Sequence, residues 1–325
     1  MSHAVTLIPG DWVGPETCEV VKSLVADAGI DINWETYTQL SDESGRLHPE
    51  LVKSMKRTGV VLQARWDSHR YPLLAPNAVR KALGAFAQVR YARSMPGIPS
   101  RFEDVDVAVV REITEDVYAG FEHSPAPGVY ELVKLTTEKA CTRVAHFAFQ
   151  EARRWGRKKV TVVHKSNIMK KSDGLFLRTA QRVAHDYPEI TCDEVIVDAL
   201  CMRLVRNPHQ FDVLLCGNLF GDIVADLVAG LAGGISMGGG TSWGDSAVIF
   251  ENPHGKAPGI VGTGKANPIP MLIPTINMLH HLGEKNAADA LAGALKGALE
   301  DGLKTWDLGG TAGCAEVRKA IAARL

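Results

Sequence analysis

The sequence has little net charge, no long apolar run and no paired-cysteine motif. Its 36 basic and 37 acidic residues leave a formal net charge of −1, which argues against a strongly basic nucleic-acid-binding protein. No apolar run approaches the roughly 18–20 residues that span a bilayer. The N-terminus also lacks a basic segment followed by an apolar one, so we expect neither a membrane partner nor a signal peptide.

The cysteines are scattered along the chain, and none forms a CxxC motif. They are Cys18, Cys141, Cys192, Cys201, Cys216 and Cys314. A chain of 325 residues buries enough apolar surface to fold without disulfides. We therefore predict reduced thiols and a cytoplasmic protein. The same length predicts roughly two domains.

A Gly-x-Gly-x-x-Gly fingerprint after a strand is also missing, which argues against a Rossmann domain and requires any nucleotide to be held in another way. What is present is an alternation of apolar strands with helical patterns, which predicts an α/β sheet with parallel pairs. The predicted strands cover 4–9, 32–37, 60–62, 105–110, 159–164, 194–197 and 212–216, and the predicted helices cover 15–28, 78–83, 137–155, 173–185, 222–231 and 286–303.

Polar residues follow several predicted strands at the point where each strand ends. They include Arg111, Lys165, Asp198 and Asn218. In open α/β sheets ligands bind at the carboxyl ends of strands, so four strands delivering such groups predict one site. Any single one of these residues could equally be a solvated loop residue.

Four arginines, Arg80, Arg90, Arg93 and Arg111, add a second signal. The guanidinium fork binds carboxylates with two hydrogen bonds. Several arginines facing one cavity would therefore imply a substrate with several carboxylates. The alternative for Arg80 is a surface position on the predicted helix at 78–83.

The acidic candidates are Asp198, Asp222 and Asp226. Asp222 and Asp226 share one helix face at i, i+4 spacing, where like charges repel unless a cation lies between them. A hard cation such as Mg²⁺ or Mn²⁺ fits such oxygen ligands. The alternative is a solvated first helical turn, in which acids favour the helix dipole. Tyr118, if close to a lysine, could act as a proton donor.

Four longer segments carry a recognisable pattern: VREITEDVYAG at 110–120, VHKSNIMK at 163–170, NLFGDIVAD at 218–226 and ENPHGKAP at 251–258. With IPGD at 8–11 and DLGGTA at 307–312, the chain resembles the β-decarboxylating dehydrogenases, the isocitrate and 3-isopropylmalate dehydrogenase family, over nearly its whole length. The Thr-Glu-Asp-x-Tyr-Ala-Gly form is more similar to isocitrate dehydrogenases.

The resemblance implies a non-Rossmann α/β fold of two domains. Residues 1–95 plus 240–325 would form the large cofactor-binding domain, and 96–239 the small domain for dimerisation, metal and substrate. It also implies a homodimer with shared active sites, in which Lys165 and Asp198 reach across from the partner subunit.

The implied activity is metal-dependent oxidative decarboxylation of a 3-substituted malate, with Mg²⁺ or Mn²⁺ and reduction of NAD. By the family pattern, Arg80, Arg90 and Arg111 clamp the carboxylates, Tyr118 protonates the enol and Lys165 assists removal of the hydroxyl proton. Three aspartates hold the metal: Asp198, Asp222 and Asp226. The implied cofactor residues are Glu251, His254, Gly255, Ala257, Ile260 and Asn267.

The segment before Arg80 departs from the family pattern. Isocitrate enzymes place Ser-x-Asn there, but the corresponding positions hold Leu74 and Pro76, and Asn77 is one residue out of register. We keep Asn77 as a candidate substrate ligand.

The loop at 63–71 also departs from the family, and it holds a basic cluster with interleaved aromatics: Arg65, Trp66, His69, Arg70 and Tyr71. Isocitrate leads as the substrate. The alternatives are homoisocitrate, isopropylmalate or a malate bearing a more anionic group such as a phosphonate, which the basic cluster would recognise. The competing interpretation of the cluster is a solvated loop.

The cofactor signature is incomplete for both nicotinamide nucleotides. Gly259-Ile260 stands where NAD-specific relatives have Asp-Ile and NADP-specific ones have Lys-Tyr. Ile260 and the missing cation favour NAD, whereas Lys256 would favour NADP if it reaches the 2′-phosphate. A catalytically impaired regulatory subunit is the remaining alternative, and the presence of Arg111, Tyr118 and Lys165 argues against it.

Overall fold

The computed structural model describes residues 2–75, 77–234, 239–252 and 255–325. The chain divides into two compact units. The first contains Met1–Ala85, Ser94–Ser100 and Gly233–Leu325, and the second contains Phe86–Arg93 and Arg101–Ala232. Each unit contains five neighbouring β-strands together with α-helices, so the predicted α/β class is confirmed.

The strands in chain order are β1 His3–Ile8, β2 Ile32–Thr36, β3 Val60–Gln63, β4 Ala87–Arg93, β5 Asp106–Glu112, β6 Glu122–Ala126, β7 Val129–Leu132, β8 Lys159–His164, β9 Thr191–Ile196, β10 Val213–Cys216, β11 Gly240–Trp243 and β12 Val248–Glu251. The α-helices are α1 Gly14–Asp27, α2 Pro49–Thr58, α3 Ala78–Ala82, α4 Glu138–Arg154, α5 Ser172–Ala184, α6 Val197–Arg206, α7 Asn218–Leu231, α8 Ile269–His281, α9 Lys285–Glu300 and α10 Cys314–Ala322.

In the first unit the strand order is β2-β1-β3-β12-β11. All neighbours are parallel except β11 and β12. The apolar strand residues Leu7, Leu62 and Phe250 are buried against the helical residues Leu24, Leu272 and Leu295 among others. The alternation of apolar strand and helix segments therefore produces the parallel sheet that the sequence predicts.

In the second unit the order is β4-β5-β10-β8-β9. β4 and β5 are antiparallel, and the remaining neighbours are parallel. A separate antiparallel pair, β6 and β7, has every residue exposed. The carboxyl ends of β5, β10 and β8 lead directly into the segments that carry the candidate site.

Several predicted boundaries are wrong in ways that matter for the site. Arg111 and Glu112 lie inside β5 rather than after it, and Asp198 lies in the first turn of α6 rather than at a strand end. Helix α7 begins at Asn218, four residues before the predicted start. Asp222 therefore lies in the second turn of α7, which removes the interpretation of a first-turn acid.

The cysteines and the helices agree with the expected absences of disulfides and spans. All six cysteines are free, as predicted, and burial raises the pKa of the Cys141 thiol to about 12. No helix in the described part of the chain is long and apolar enough to cross a membrane.

Candidate active site

Arg111 forms the centre of a polar cluster in the second unit. Its side chain leaves β5 and is only 6% exposed. Nε and Nη2 donate to Asn218 Oδ1 at 3.0 and 2.7 Å, and Nη1 donates to Asp222 Oδ1. A buried arginine needs such carboxylate and amide partners because an unpaired buried charge is costly.

Gly221 of α7 makes room for this arginine. A Cβ at Gly221 would lie 2.6 Å from Arg111 Cγ, which is closer than two non-bonded carbon atoms approach each other. The absence of a side chain at this one position therefore lets the guanidinium lie along α7, where it faces Asn218 and Asp222.

Tyr118 belongs to the same cluster. It lies in a 3₁₀ turn, Val117–Ala119, and its hydroxyl donates to Asp222 Oδ2 at 2.6 Å. The Arg111 guanidinium lies 5.1 Å from the centroid of its ring. Burial raises the pKa of Tyr118, and the bond to Asp222 raises it further. The phenol therefore stays protonated at neutral pH, as a proton donor requires.

Arg90 and Asp226 form a second pair beside the first. Arg90 Nη1 donates to Asp226 Oδ1 at 2.6 Å. Arg90 Nη2 is buried and has no hydrogen-bond partner, which is uncommon for a buried donor. Arg93, three residues further along β4, turns instead to Asp106 at 3.0 Å.

Lys165 and Asp198 form a separate ion pair in the second unit. Lys165 Nζ donates to Asp198 Oδ1 at 2.6 Å, and this hydrogen bond lowers the pKa of the Asp198 carboxyl. Among the residues that the structure describes, no group of three or more His, Cys, Asp or Glu side chains could hold a metal ion. One chain alone therefore does not assemble the predicted three-aspartate site.

Arg80 lies in the first unit, where Glu251 holds it. Arg80 Nε and Nη2 donate to the two oxygens of the Glu251 carboxylate at 3.1 and 2.6 Å, and Ser242 donates to the same carboxylate. Arg80 and Glu251 border a cavity of about 270 Å³, which is lined by Gln63, Ala64, Arg65, Trp66, Ser68, Arg80, Glu251 and Asn252. Gln63 Oε1 is buried there without a partner.

The basic cluster of the loop at 63–71 is only partly directed to this cavity. Arg70 pairs with Asp11 at 2.6 Å, and His69 pairs with Asp67 at 3.0 Å. Tyr71 is buried, and Trp66 packs against it edge to face at 5.8 Å. Of the three basic residues, Arg65 alone lines the cavity, so the predicted cluster reduces to a single cation.

Both the sequence and the structure of the chain match those of known proteins. The family model described as isocitrate/isopropylmalate dehydrogenase matches residues 4–321. One regulatory chain of the mitochondrial NAD isocitrate dehydrogenase of Dictyostelium discoideum is 40% identical over 323 residues, which cover 96% of this chain and 89% of that protein. Catalytic subunit 5 of the Arabidopsis thaliana enzyme is 40% identical over 327 residues, with coverage of 97% and 87%. The crystal structure of isocitrate dehydrogenase from Methylococcus capsulatus superposes with a TM-score of 0.91, at 36% identity and 99% coverage of both chains.

The chain belongs to the isocitrate/isopropylmalate dehydrogenase family. The resemblance inferred from the four motifs is thereby confirmed, and so are the family's fold class and the enzyme class, an NAD(P)-dependent β-decarboxylating dehydrogenase. The similar proteins include both catalytic and regulatory chains.

The cofactor segment of this family member is partly described. His254 and Pro76, both named in the sequence analysis, lie outside the described residues. Asn267 Oδ1 accepts from the Ile269 amide at 2.9 Å, and its Nδ2 donates to Asp307 at 3.0 Å. Ala257 has a positive φ of 46°. Asn77 lies at the start of α3 without capping it.

Sequence reasoning missed several residues that support the site. Gly221 carries no signal in one sequence, because its importance depends on Arg111, which is distant along the chain. An ion-pair network in which Lys134 contacts the buried carboxylates of Asp116 and Asp173 was also missed, although Asp116 lies within the motif at 110–120. Gln88, which accepts from Arg111 Nη1 at 3.4 Å, lies on β4, a strand that was not predicted.

Proposed function

We propose that this family member catalyses the metal-dependent oxidative decarboxylation of a 3-substituted malate with reduction of NAD. The observation that carries the proposal is the cluster in the second unit, in which Arg111, Tyr118 and Asp222 contact one another beside the Arg90–Asp226 pair. Two guanidiniums, two carboxylates and one phenol are the groups that such a reaction needs for carboxylate binding, metal binding and protonation.

Arg90 and Arg111 bind the malate carboxylates in this proposal. The unpartnered Arg90 Nη2 supports it, because a substrate oxygen would satisfy a buried donor that the chain leaves unpaired. Arg80, which Glu251 holds by two hydrogen bonds, keeps its predicted role as a further carboxylate ligand.

Proton transfer falls to Tyr118 and Lys165. Bound NAD would accept the hydride from the hydroxyl carbon, and Lys165 would assist loss of the hydroxyl proton. Loss of CO₂ from the 3-carboxylate of the resulting 2-oxo acid leaves an enolate, and Tyr118 donates the proton that converts it to the product. The hydrogen bond from the Tyr118 hydroxyl to Asp222 supports this role, because it places the phenol beside the proposed metal ligands.

Asp222 and Asp226 fit a divalent cation. They lie one turn apart on α7, and both side chains are accessible. In this structure the positive charge facing them comes from Arg111 and Arg90. Mg²⁺ is commonly bound through one or two carboxylates together with substrate oxygens, and Mg²⁺ or Mn²⁺ bound here would polarise the substrate carbonyl. Asp198 would complete the set from a partner subunit.

NAD is the cofactor that we assign to the first unit. Lys256, the residue that could favour NADP, lies 4.9 Å from the centroid of the Trp12 ring, and its Nζ lies 3.9 Å from Asp67 Oδ1. These contacts engage the Lys256 ammonium within the chain, which argues against a role in binding the 2′-phosphate of NADP. At Gly255 and Gly259 an added Cβ would meet nothing within 4 Å, so the described residues leave open space beside this segment.

The substituent of the malate is the finer question. Isocitrate remains the leading substrate. The second candidate is an analogue with a different anionic substituent, such as a phosphonate. Arg65, Ser68 and Gln63 line the cavity beside Arg80 and support this candidate, whereas the Ser-x-Asn pair of isocitrate enzymes is missing.

A homodimer with shared active sites completes the proposal. The antiparallel pair β6–β7 and its flanks expose Phe121, Tyr130 and Leu132, and α6 exposes Met202 and Val205. Exposed apolar side chains concentrated on one unit are typical of a protein interface. The predicted cytoplasmic location stays a prediction.

A substrate and cofactor panel tests the function. We expect NADH formation from one of isocitrate, homoisocitrate, isopropylmalate or phosphonomethylmalate, with NAD preferred over NADP and with complete loss in chelator. Absence of turnover with every acid and metal would contradict the proposal and favour a regulatory role. Arg65→Ala should raise KM for acids with an anionic substituent and leave KM for isopropylmalate unchanged, and Arg101→Ala is the matched control on an exposed arginine.

A further inference from the structure

Lys134 is a partly buried cation that the proposed chemistry does not use. It follows β7, and its side chain is 19% exposed. Its Nζ lies 2.9 Å from Asp116 Oδ2 and 3.4 Å from Asp173 Oδ1. The Phe220 ring at the start of α7 packs against the same ammonium, with its centroid 5.3 Å from Nζ. One ammonium therefore pairs with two carboxylates that are 4% and 6% exposed.

The Asp116 contact leads to the Tyr118 turn. Asp116 has a φ of 71°, a conformation that is strained for any residue with a Cβ. Its Oδ1 accepts from the Val117 amide at 2.8 Å, and its Oδ2 accepts from the Leu219 amide at 3.0 Å. This carboxylate thus joins the turn that carries Tyr118 to the first turn of the helix that carries Asp222.

The Asp173 contact leads to the Lys165 loop. Asp173 lies in the first turn of α5, and its Oδ2 accepts from the Lys165 amide at 2.6 Å. The amides of Ile168 and Met169 in turn donate to the Lys165 carbonyl at 3.0 and 2.9 Å. The backbone position of Lys165 therefore depends on where the Asp173 carboxylate is held.

The charge of Lys134 is what makes both contacts possible. Two buried carboxylates repel each other and are each costly to bury without a cation. A neutral side chain at position 134 would let them move apart or toward water, and each movement would release a backbone amide next to a catalytic residue.

We propose that Lys134 is a positioning residue for both catalytic elements of the chain, setting the Tyr118 turn through Asp116 and the Lys165 loop through Asp173. The inference rests on the proposed function for the roles of Tyr118 and Lys165. If active sites are shared between subunits, these two residues serve different sites, and one lysine sets the geometry of both.

Amide hydrogen exchange tests the positioning without any need for turnover. In Lys134→Met we expect faster exchange at the Val117, Leu219 and Lys165 amides, with unchanged exchange in the buried strand β10. Lys134→Arg, which keeps the charge, should preserve protection. Lys134→Gln is the second neutral variant if the methionine protein does not fold. Acceleration at only one of the two elements, or at neither, overturns the proposal.

Lys159→Met is the matched control. Lys159 is also a partly buried lysine near a carboxylate, Asp193 at 3.7 Å, but it contacts neither catalytic element. Its replacement should leave the three amides protected. Acceleration there equal to that in Lys134→Met would show general destabilisation and overturn the proposal.

Steady-state kinetics supplies the second readout. Lys134→Met should lower kcat by about 10- to 100-fold, because small displacements of catalytic groups have effects of that size, with KM for NAD and for the hydroxy acid nearly unchanged. Lys134→Arg should restore most of kcat, and failure of this rescue contradicts the proposal. If the wild-type protein oxidises no acid at all, the proposed function fails, while the exchange result still decides whether Lys134 positions both elements.

Discussion

A single glycine in α7 determines where the Arg111 guanidinium can lie. Glycine is normally unfavourable inside a helix by about 1 kcal/mol relative to alanine, and the structure shows a local reason for it at position 221. The reason is contact with Arg111, whose Cβ and Cγ lie 2.8 and 2.6 Å from where a Cβ would be. Glycine lowers the stability of α7, but it leaves the space that Arg111 occupies beside Asp222.

Gly221→Ala tests whether this glycine is needed for substrate binding rather than for the stability of the fold. We expect kcat/KM for the hydroxy acid to fall by about 10- to 100-fold, because the displaced guanidinium no longer meets the substrate carboxylate. KM for NAD should be unchanged. Steady-state kinetics and thermal unfolding of the same preparations provide both measurements.

Gly230→Ala in the same helix is the control. A Cβ at Gly230 meets nothing within 4 Å, so this change should stabilise the protein by up to about 1 kcal/mol and leave the kinetics unchanged. Equal kinetics for the two alanine variants would refute the role assigned to Gly221.

At the scale of elements, a polar network joins β1, β2 and α2 in the first unit. Ser54 Oγ, on α2, donates to Glu35 Oε2 at 2.6 Å, and Thr6 Oγ1, on β1, lies 2.7 Å from the same serine oxygen. Arg57 also donates to Glu35. The hydrogen bond from Arg57, followed by that from Ser54, lowers the pKa of the Glu35 carboxyl.

The lowered pKa has a defined consequence for stability. A carboxyl whose pKa is lower in the folded state binds fewer protons there, so its contribution is present above its ordinary pKa and is lost as the pH falls through the folded value. We expect Glu35→Gln to be less stable than wild type at pH 7, and this difference to shrink as the pH falls below about 4.5. Urea unfolding at several pH values measures it.

The exposed Glu43 provides the comparison for Glu35. Glu43→Gln lies outside this network and should show no such pH-dependent difference from wild type. If the difference in stability between Glu35→Gln and wild type stays constant down to pH 3, the charge of the Glu35 carboxylate does not join β2 to α2.

The elements that sequence reasoning found are those with a continuous apolar pattern. Strand β8 was predicted with its observed bounds, because Val160–Val163 is an apolar β-branched run broken only by Thr161. Strand β4 was missed, because Arg90 and Arg93 interrupt its apolar residues. Their charges are paired with Asp226 and Asp106, which lie on other elements of the fold. The exposed pair β6–β7 has no buried face to produce a pattern.

The same distinction holds for the candidate site. The motifs identified Arg111, Tyr118 and Asp222, and the structure brings these three together. Asn218, which the sequence analysis named as a strand-end residue, joins them through Arg111. The other supporting residues, Gly221 and Lys134, depend on contacts between residues distant along the chain. A spacing rule such as i, i+4 places Asp222 and Asp226 on one face, but it does not reveal that each meets its own arginine.

At the scale of the whole molecule, the proposed homodimer would combine groups that one chain holds in two separate pairs. In the second unit Tyr118 contacts Asp222, whereas Lys165 contacts Asp198. The described residues of one chain form no three-carboxylate metal group. A homodimer that brings Lys165 and Asp198 of one protomer to Asp222 of the other would complete both sites by symmetry.

Mixing two inactive variants tests this arrangement. Tyr118→Phe and Lys165→Met proteins, each nearly inactive alone, should regain activity when unfolded together and refolded as mixed dimers. In such a dimer one site carries both changes and the other carries none. Random pairing makes half of the dimers mixed, so about a quarter of wild-type activity should return, as expected for a two-fold symmetric dimer. Refolding Tyr118→Phe with a chain that carries both changes leaves no intact site and should restore nothing. If tagged protomers confirm that mixed dimers form and the activity nevertheless stays at the level of the single variants, each site is built from one chain, and the shared-site proposal is wrong.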